Sequence, residues 1–124
     1  MDRISDKRIM IVGGDTNFLY LMRRYVRRCA FEIISVNLGE DLLALACKQR
    51  PIAIVLEVDQ PETIGWQILR SLKTDPVVGS IPVIVCSWLD DESRALAEGA
   101  KSYLRMPILY TDFEAALGSI LMKE

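Results

Sequence analysis

The residues of this chain that could do chemistry are few, and most of them follow predicted strands. Glu57 ends the apolar run 54–56 and is the one acid placed at a strand tip. The tips of other apolar runs carry Gly13-Gly14, Ser87 and Met106. Ligands and catalytic groups of α/β sheets usually lie at the carboxyl ends of the strands. These residues therefore predict a site at the carboxyl ends of the strands, and this site lacks the groups that catalysis needs.

Metal binding and acid–base catalysis have few candidates in this sequence. Histidine is absent, which removes imidazole catalysis, the commonest zinc ligand and any phosphohistidine chemistry within the chain. Asp15 and Asp59 fall near the predicted strand tips, so a weak metal site with Glu57 is one interpretation. The other has Asp15 as a helix cap and Asp59 as a loop residue. We favour the second and predict no bound metal, no cofactor and no catalytic residue.

The composition indicates one globular domain, residues 1–124. A net charge of −2 gives no strong attraction to nucleic acid or to an anionic membrane. The apolar runs are too short to span a bilayer, and the amino terminus lacks the apolar core of a signal peptide. Cys29, Cys47 and Cys86 lie in apolar stretches, so we predict buried thiols. We expect a cytoplasmic protein without nucleic-acid or membrane partners.

Short apolar runs alternate with stretches of helical spacing along the chain. Strands are predicted over residues 8–12, 31–36, 52–56, 82–86 and 101–105. Helices are predicted to begin near Asp15, Gly39, Gly65, Asp90 and Thr111. For the last helix, Thr111 and Glu114 are predicted to form a capping box. Alternating strand–helix units favour a parallel sheet. The sequence thus predicts an α/β fold, a three-layer α/β/α sandwich with five strands in the order 2-1-3-4-5.

Five stretches of the chain resemble, in the right order, the receiver domain of bacterial response regulators. They are residues 11–15, 51–57, Pro61 with Gly65-Trp66, 81–87 and 99–107. The spacing from Glu57 to Pro61 and Gly65 is similar to that of the loop after the family's third strand. The resemblance covers almost the whole chain. It implies a flavodoxin-like fold and a role in two-component signal transduction or a phosphorelay.

The resemblance also implies where the family's phosphorylation site falls in this sequence. In the family, an acidic pair holds Mg²⁺, an aspartate accepts phosphate from a histidine kinase, and a hydroxyl and a lysine bind the phosphoryl oxygens. These positions correspond, in that order, to Gly13 and Gly14, Glu57, Ser87 and Met106. Tyr103 corresponds to the aromatic residue that rotates when the family switches. Ser87 and Tyr103 alone keep the family's residue type.

Three departures from the family pattern predict that this site is not phosphorylated. Two glycines supply no side-chain oxygen for Mg²⁺, which prefers octahedral oxygen ligands. Met106 supplies no positive charge for a transferred phosphoryl group. Glu57 is longer than aspartate by about 1.5 Å, and a misplacement on the order of 1 Å can lower a rate about a hundredfold. We therefore interpret the chain as a degenerate pseudo-receiver.

The role left for Glu57 has two interpretations. The side chain either mimics a phosphorylated aspartate and holds the domain in an active-like state, or it is a relic carboxylate with local hydrogen bonds. Without the lysine, Ser87 is the obvious partner that the sequence offers. If Glu57 is buried and unpaired, desolvation is expected to raise its pKa.

Two surfaces are predicted to bind partners, and the resemblance implies a histidine kinase, another response regulator or an output protein. The first surface is the basic face of the first helix, for which simple solvation is the alternative. Its arginines are Arg23, Arg24, Arg27 and Arg28. The second surface is formed by helix four, strand five and helix five. The interval from Ser87 to Gly99 is shorter than usual in the family, which predicts a short fourth helix. Formation of a weak homodimer is a further possibility that the sequence leaves open.

Three large aromatic residues are placed in or beside predicted loops. They are Trp66, Trp88 and Tyr110. Exposed aromatic side chains favour an interface, whereas partial burial against neighbouring helices is the alternative. Trp88 follows the hydroxyl position, where it could plug the vacant pocket.

A second class of function is a small-ligand or anion-binding flavodoxin-like domain. Gly13-Gly14 would then leave backbone N–H groups free at a helix N-terminus, which attracts phosphate. Asp15 beside them argues against a bound anion. We favour the signalling module over this alternative.

Overall fold

The computed structural model describes residues 7–36, 41–59 and 64–121. The strands are β1 (Arg8–Val12), β2 (Glu32–Val36), β3 (Ala53–Glu57), β4 (Val83–Ser87) and β5 (Ser102–Arg105). The helices are α1 (Thr16–Arg28), α2 (Leu42–Gln49), α3 (Ile64–Thr74), α4 (Glu92–Ala97) and α5 (Tyr110–Leu121). The strand pairs are parallel, and the sheet order is β2-β1-β3-β4-β5. The predicted α/β sandwich and its strand order are confirmed.

The two faces of the sheet are covered by different helices, because successive side chains of a strand point to opposite faces. Met10 of β1 packs in a cluster with residues of α2 and α3, whereas Ile11 packs in a cluster with residues of α1 and α5. β1, β3 and β4 are almost wholly buried, as expected of central parallel strands. Their carboxyl ends meet at one edge of the sheet, where the candidate site lies.

Two strands extend one residue further than their apolar runs indicate. β3 includes Glu57, which lies beside Cys86 of β4, and β4 includes Ser87, which lies beside Arg105 of β5. The predicted strands end at the last apolar residue, because a polar residue usually marks the start of a loop. The backbone of Glu57 is instead held by the sheet, so its side chain starts from a fixed position.

The starts of α1 and α4 agree with the sequence prediction. The Asp15 carboxylate accepts a hydrogen bond of 2.9 Å from the backbone N–H of Phe18, which confirms Asp15 as the N-cap of α1. The helix α4 has 6 residues, as the short interval between Ser87 and Gly99 predicts.

The predicted capping box at the start of α5 is wrong. The helix begins at Tyr110, so Thr111 lies inside its first turn and does not occupy the N-cap. The first turn is closed by the backbone carbonyl of Leu109, which accepts from the N–H groups of Asp112 and Phe113 at 3.1 Å each.

Some predictions fall outside the described part of the chain, and one about cysteine is wrong. Gly39 and Pro61 lie outside the described residues. Cys86 is buried and Cys29 half-buried, but Cys47 is exposed on α2. Over residues 7–36, 41–59 and 64–121, no helix has both the length and the apolar character that a bilayer crossing requires.

Candidate functional site

The candidate site is the carboxyl edge of the sheet, where Glu57 ends β3 and Ser87 ends β4. Gly13 follows β1, and Met106 follows β5. The structure therefore brings all four chain segments that carry the predicted positions to one edge. Glu57 and Ser87 are the buried polar side chains of the described residues, and Glu57 is 8% exposed. The chemistry of the edge depends on what these two side chains contact.

The carboxylate of Glu57 is bound by the backbone at the start of α1. Its Oε1 atom accepts hydrogen bonds from the N–H of Gly14 at 2.9 Å and from the N–H of Asp15 at 3.2 Å. Gly14 and the N-cap Asp15 directly precede α1, where N–H groups have no partner within the helix and the helix dipole favours a carboxylate. Glu57 is therefore paired, since its side chain reaches these donors across the sheet edge.

Gly13 is part of the same arrangement, because it leaves the space that the Glu57 carboxylate occupies. A Cβ atom at position 13 would lie 2.6 Å from Oε1 of Glu57 and 2.9 Å from Cδ2 of Phe18. Both distances are well below ordinary van der Waals contact. The glutamate at position 57 therefore requires a residue without a side chain at position 13.

Burial raises the pKa of Glu57 above its ordinary value of 4.5. The hydrogen bonds from Asp15 and Gly14 act in the opposite direction, and the nearby carboxylates of Asp15 and Asp59 raise the pKa further. Removal from water thus outweighs the two N–H donors. The protonated carboxyl is favoured more in the folded state than in the unfolded chain.

This raised pKa predicts how stability depends on pH. Protonated Glu57 contributes a stability that is fully present below about pH 4.5 and is lost as pH rises through the folded-state pKa. Acidification from neutral pH toward that value should therefore stabilise the natural protein relative to Glu57→Gln. Urea unfolding of both proteins across this range measures the difference, with the exposed Glu32→Gln as a control for loss of a carboxylate. A Glu57→Gln difference that stays constant with pH would contradict the prediction.

Ser87 and Met106 are engaged in local backbone contacts. The buried hydroxyl of Ser87 accepts a hydrogen bond of 3.0 Å from the N–H of Leu89. The backbone N–H of Met106 donates to the carbonyl of Ser87 at 2.7 Å, and the Met106 side chain is half-buried. Ser87 therefore stabilises the turn that follows β4. The hydrogen bonds of Glu57 come from the backbone at the start of α1.

The residues present do not fit the magnesium ion that the fold family implies. Gly13 and Gly14 have no side-chain oxygen, the Asp15 carboxylate caps α1, and Oε1 of Glu57 accepts from two N–H groups. Asp59 is exposed in the loop after β3. Within the described residues, no three side chains of Asp, Glu, Cys or His stand close enough together to hold a metal.

Tyr103 connects β5 to the loop between β4 and α4. Its hydroxyl donates to the carbonyl of Leu89 and accepts from the N–H of Asp91 at 3.2 Å. Arg105 donates from Nε to the carbonyl of Trp88 at 2.8 Å. The half-buried Tyr103 therefore holds this loop in place, and its assignment as a switch residue stays a prediction.

The four arginines of α1 spread over more than one contact surface. Arg23 donates to the hydroxyl of Ser35 on β2 at 3.1 Å. The guanidinium of Arg24 lies 5.8 Å from the ring centre of Tyr20, and that of Arg28 lies 4.1 Å from the ring centre of Tyr110. Arg24, Arg27 and Arg28 are exposed, and α1 contains no acidic residue. The helix thus presents a positive surface that is not neutralised within its own length.

The two tryptophans have opposite environments. Trp66 of α3 is 1% exposed, and the guanidinium of Arg94 lies 4.1 Å from the centre of its ring. The interpretation of Trp66 as an interface residue is wrong, because α3 turns this side chain toward the sheet. Trp88 is 57% exposed, so it does not plug the site.

Trp88 instead forms one wall of a cleft, which we call the Trp88 cleft. Its other walls are Phe18 and Leu21 of α1, Met106 and Pro107.

Tyr110 is half-buried between two helices. Its ring packs edge-on against Tyr25 of α1, with 5.3 Å between ring centres. The hydroxyl of Tyr110 also lies 3.4 Å from the sulfur of Cys29. Tyr110 therefore joins α5 to α1, in agreement with the alternative of partial burial.

Comparison with known proteins gives a consistent set of relatives. No protein-family model matches the chain. The polar-differentiation response regulator DivK of Brucella anthropi is 30% identical over 118 residues, which cover 93% of this chain and 96% of DivK. The transcriptional regulatory protein PrrA of Mycobacterium tuberculosis is 28% identical over 123 residues, which cover 97% of this chain. The chain spans 52% of the length of PrrA.

A solved structure supports the same fold. The signal receiver domain of a response regulator from Bermanella marisrubri superimposes with a TM-score of 0.81. The match covers 94% of this chain and 98% of that one, at 24% sequence identity.

Proposed function

Because the chain belongs to the response regulator receiver family, we propose that it is a signalling module which acts through protein contacts and is not phosphorylated. The observation that carries this proposal is the position of the Glu57 carboxylate. In place of a free acceptor, the end of β3 presents an oxygen that accepts from the N–H groups of Gly14 and Asp15. On this proposal residues 1–124 form one receiver-like domain, which catalyses no reaction.

The electrostatics of the sheet edge support the same conclusion. Phosphoryl transfer is stabilised mainly by positioning and by positive charge around the transferred group. The lysine position holds Met106, and the magnesium positions hold Gly13 and Gly14. A doubly charged phosphoryl group at Glu57 would therefore lie beside Asp15 and Asp59 without a compensating cation.

The proposed partners are a histidine kinase, another response regulator or an output protein. The exposed arginines of α1 form one contact surface, and α4, β5 and α5 form the other. On the second surface a shallow cleft of about 440 Å³ is lined by residues that include Leu96, Tyr103 and Ala116. A weak homodimer through this second surface belongs to the same proposal.

The hydrogen bonds of Glu57 weigh against the anion-binding alternative. That alternative needs the N–H groups after Gly13 to be free for a ligand. The carboxylate of Glu57 already accepts from both of the N–H groups that follow Gly13. The chain therefore supplies its own anion at the N-terminus of α1.

Intact-protein mass spectrometry after incubation with acetyl phosphate and Mg²⁺ tests the proposal. We expect no phosphoryl adduct on the natural protein or on Glu57→Asp alone. In both proteins Gly13 and Gly14 supply no ligand for Mg²⁺, and Met106 supplies no positive charge. The matched positive control restores the family's residues together: Gly13→Asp, Gly14→Asp, Glu57→Asp and Met106→Lys. We expect its labelling to exceed that of the natural protein by at least about a hundredfold. An adduct on Glu57 of the natural protein would refute the proposal.

A further inference from the structure

A groove between the end of α1 and the helix α5 has no role in the site described above, and we call it the α1–α5 groove. Its volume is about 340 Å³, which is at the lower end of the range for small-molecule sites. The helix α1 begins at the carboxyl edge of the sheet and has 13 residues, so its last residue lies about 18 Å along the axis from its first. Residues that line the groove include Arg28, Phe31, Tyr110, Glu114, Leu117 and Gly118.

Gly118 forms one wall of the α1–α5 groove without a side chain. Apart from its chain neighbours and the backbone of α5, a Cβ atom there would meet no atom of the described residues within 4 Å. Glycine destabilises a helix relative to alanine, so neither packing nor helix stability in this part of the chain calls for it. Glycine commonly occurs where another molecule approaches the backbone closely. Gly118 therefore points to a ligand that lies against α5.

Two side chains of opposite charge line the same groove. The guanidinium of Arg28 lies 4.1 Å from the ring centre of Tyr110. Glu114 follows Tyr110 by four positions in α5, which places it on the same side of the helix, about 6 Å further along the axis. Within residues 7–36, 41–59 and 64–121, neither Arg28 nor Glu114 belongs to an ion pair. Both charges are therefore available to a ligand.

The remaining walls of the groove provide apolar contacts. Phe31 is half-buried, and Leu117 is only 2% exposed. The ring of Tyr110 is held edge-on against Tyr25 at 5.3 Å between ring centres, and its hydroxyl lies 3.4 Å from the sulfur of Cys29. These contacts fix the aromatic wall before any ligand arrives, which lowers the cost of ordering the site on binding.

We propose that the α1–α5 groove binds a free α-amino acid with a large apolar side chain. Arg28 binds its carboxylate, Glu114 binds its ammonium group, and the apolar side chain lies against the backbone of Gly118. An amino acid carries both charges on one carbon, so it satisfies both residues at once. A simple anion would lie beside Glu114, a simple cation beside Arg28, and a fully apolar ligand would pair with neither. This inference goes beyond the proposed function and does not depend on it.

The test is an NMR titration of the natural protein with L-phenylalanine. We expect saturable shifts of the amides of Cys29, Phe31 and Gly118, with a Kd of about 1 mM or lower. Three analogues separate the parts of the ligand: phenylpropanoate lacks the ammonium group, phenethylamine lacks the carboxylate, and free glycine lacks the side chain. Each should bind at least about tenfold more weakly, because each leaves a charged residue unpaired or the apolar walls uncovered.

Matched variants locate the binding site. Arg28→Gln and Glu114→Gln should each raise the Kd for phenylalanine at least about tenfold. Their controls, Arg27→Gln and Asp112→Asn, remove exposed charges of the same two helices and should leave the Kd within about twofold. Gly118→Leu fills the groove and should abolish binding. Leucine favours a helix more than glycine does, and the dispersion of the same spectra shows that the variant is folded.

Four results would each overturn the inference: no saturable shift with phenylalanine, equal affinity for phenylalanine and either charged analogue, shifts confined to residues outside the groove, or an unchanged Kd in Gly118→Leu. Sedimentation of the natural protein forms a further arm. If the protein dimerises, Gly118→Leu abolishes the dimer and phenylalanine does not bind, a second copy occupies the groove and the inference is wrong. None of these readouts depends on phosphorylation, so the mass-spectrometric test of the proposed function is decided separately.

Discussion

Replacing Trp66 with alanine is expected to lower the free energy of unfolding by about 3–5 kcal/mol. The indole is almost fully buried, and it belongs to the core cluster formed with Leu69 and Leu72 of α3 and with residues of β3 and β4. Arg94 of the short helix α4 stacks on its outer face at 4.1 Å. The truncation would therefore leave a cavity under α3 and remove the surface on which α4 rests.

Two comparison variants show whether buried volume explains the effect. The Nε1 atom of Trp66 has no hydrogen-bond partner in the described part of the chain, so Trp66→Phe removes no hydrogen bond and should lower stability by less than about 1.5 kcal/mol. Trp88→Ala, at a mostly exposed position, should change it by no more than about 0.5 kcal/mol. Urea unfolding measures all three. Equal losses for Trp66→Ala and Trp88→Ala would contradict the assignment of Trp66 to the core.

The contrast between the two tryptophans also shows what the sequence could predict about the fold. The strands and helices follow from local patterns, such as the spacing of Phe18, Met22 and Val26, which places one face of α1 on the sheet. The helix α3 carries Ile64 and Trp66 close together at its start, and only Trp66 is buried. Whether Ile64 or Trp66 faces the core depends on how α3 is rotated about its axis, and tertiary packing sets that rotation.

The position of the candidate site was predictable from the sequence, but its contacts were not. The order of the strands places Glu57, Ser87 and Gly13 at one edge, and the residue types show that Gly13 has no side-chain oxygen and Met106 no charge. Which donor the Glu57 carboxylate reaches depends on how the end of β3 and the start of α1 are placed in the folded chain, and no local sequence pattern sets that placement. The available signal was the pairing of two departures: a longer acid at position 57 and a residue without a side chain at position 13.

That pairing leads to the second large effect: Gly13→Ala is expected to lower the free energy of unfolding by about 1–3 kcal/mol. The new Cβ would lie 2.6 Å from Oε1 of Glu57 and 2.9 Å from the buried ring of Phe18. To relieve the contact, the carboxylate must leave its two N–H donors or the ring must move within the core. Gly14→Ala is the matched control, because Gly14 is exposed and should change stability by no more than about 0.5 kcal/mol.

A double-mutant cycle with Glu57→Ala separates the two sources of strain. If the carboxylate contributes as we argue, Gly13→Ala should lower stability less in the Glu57→Ala background, with a coupling of about 0.5–3 kcal/mol. The amide resonances of Gly14 and Asp15 should shift in Gly13→Ala, since their hydrogen bonds to Oε1 are disturbed. A coupling of zero would assign the whole effect to Phe18 and contradict the pairing of positions 13 and 57.

The same geometry predicts that the acidic residue of the family cannot return at position 13 while Glu57 remains. Gly13→Asp would add the Cβ contact and place a second carboxylate beside one that is already buried and near Asp15 and Asp59. Like charges in such a site raise the free energy of the folded state further. A shorter acid at position 57 relieves both effects, so we expect an acid at position 13 to be tolerated only after Glu57 has been shortened.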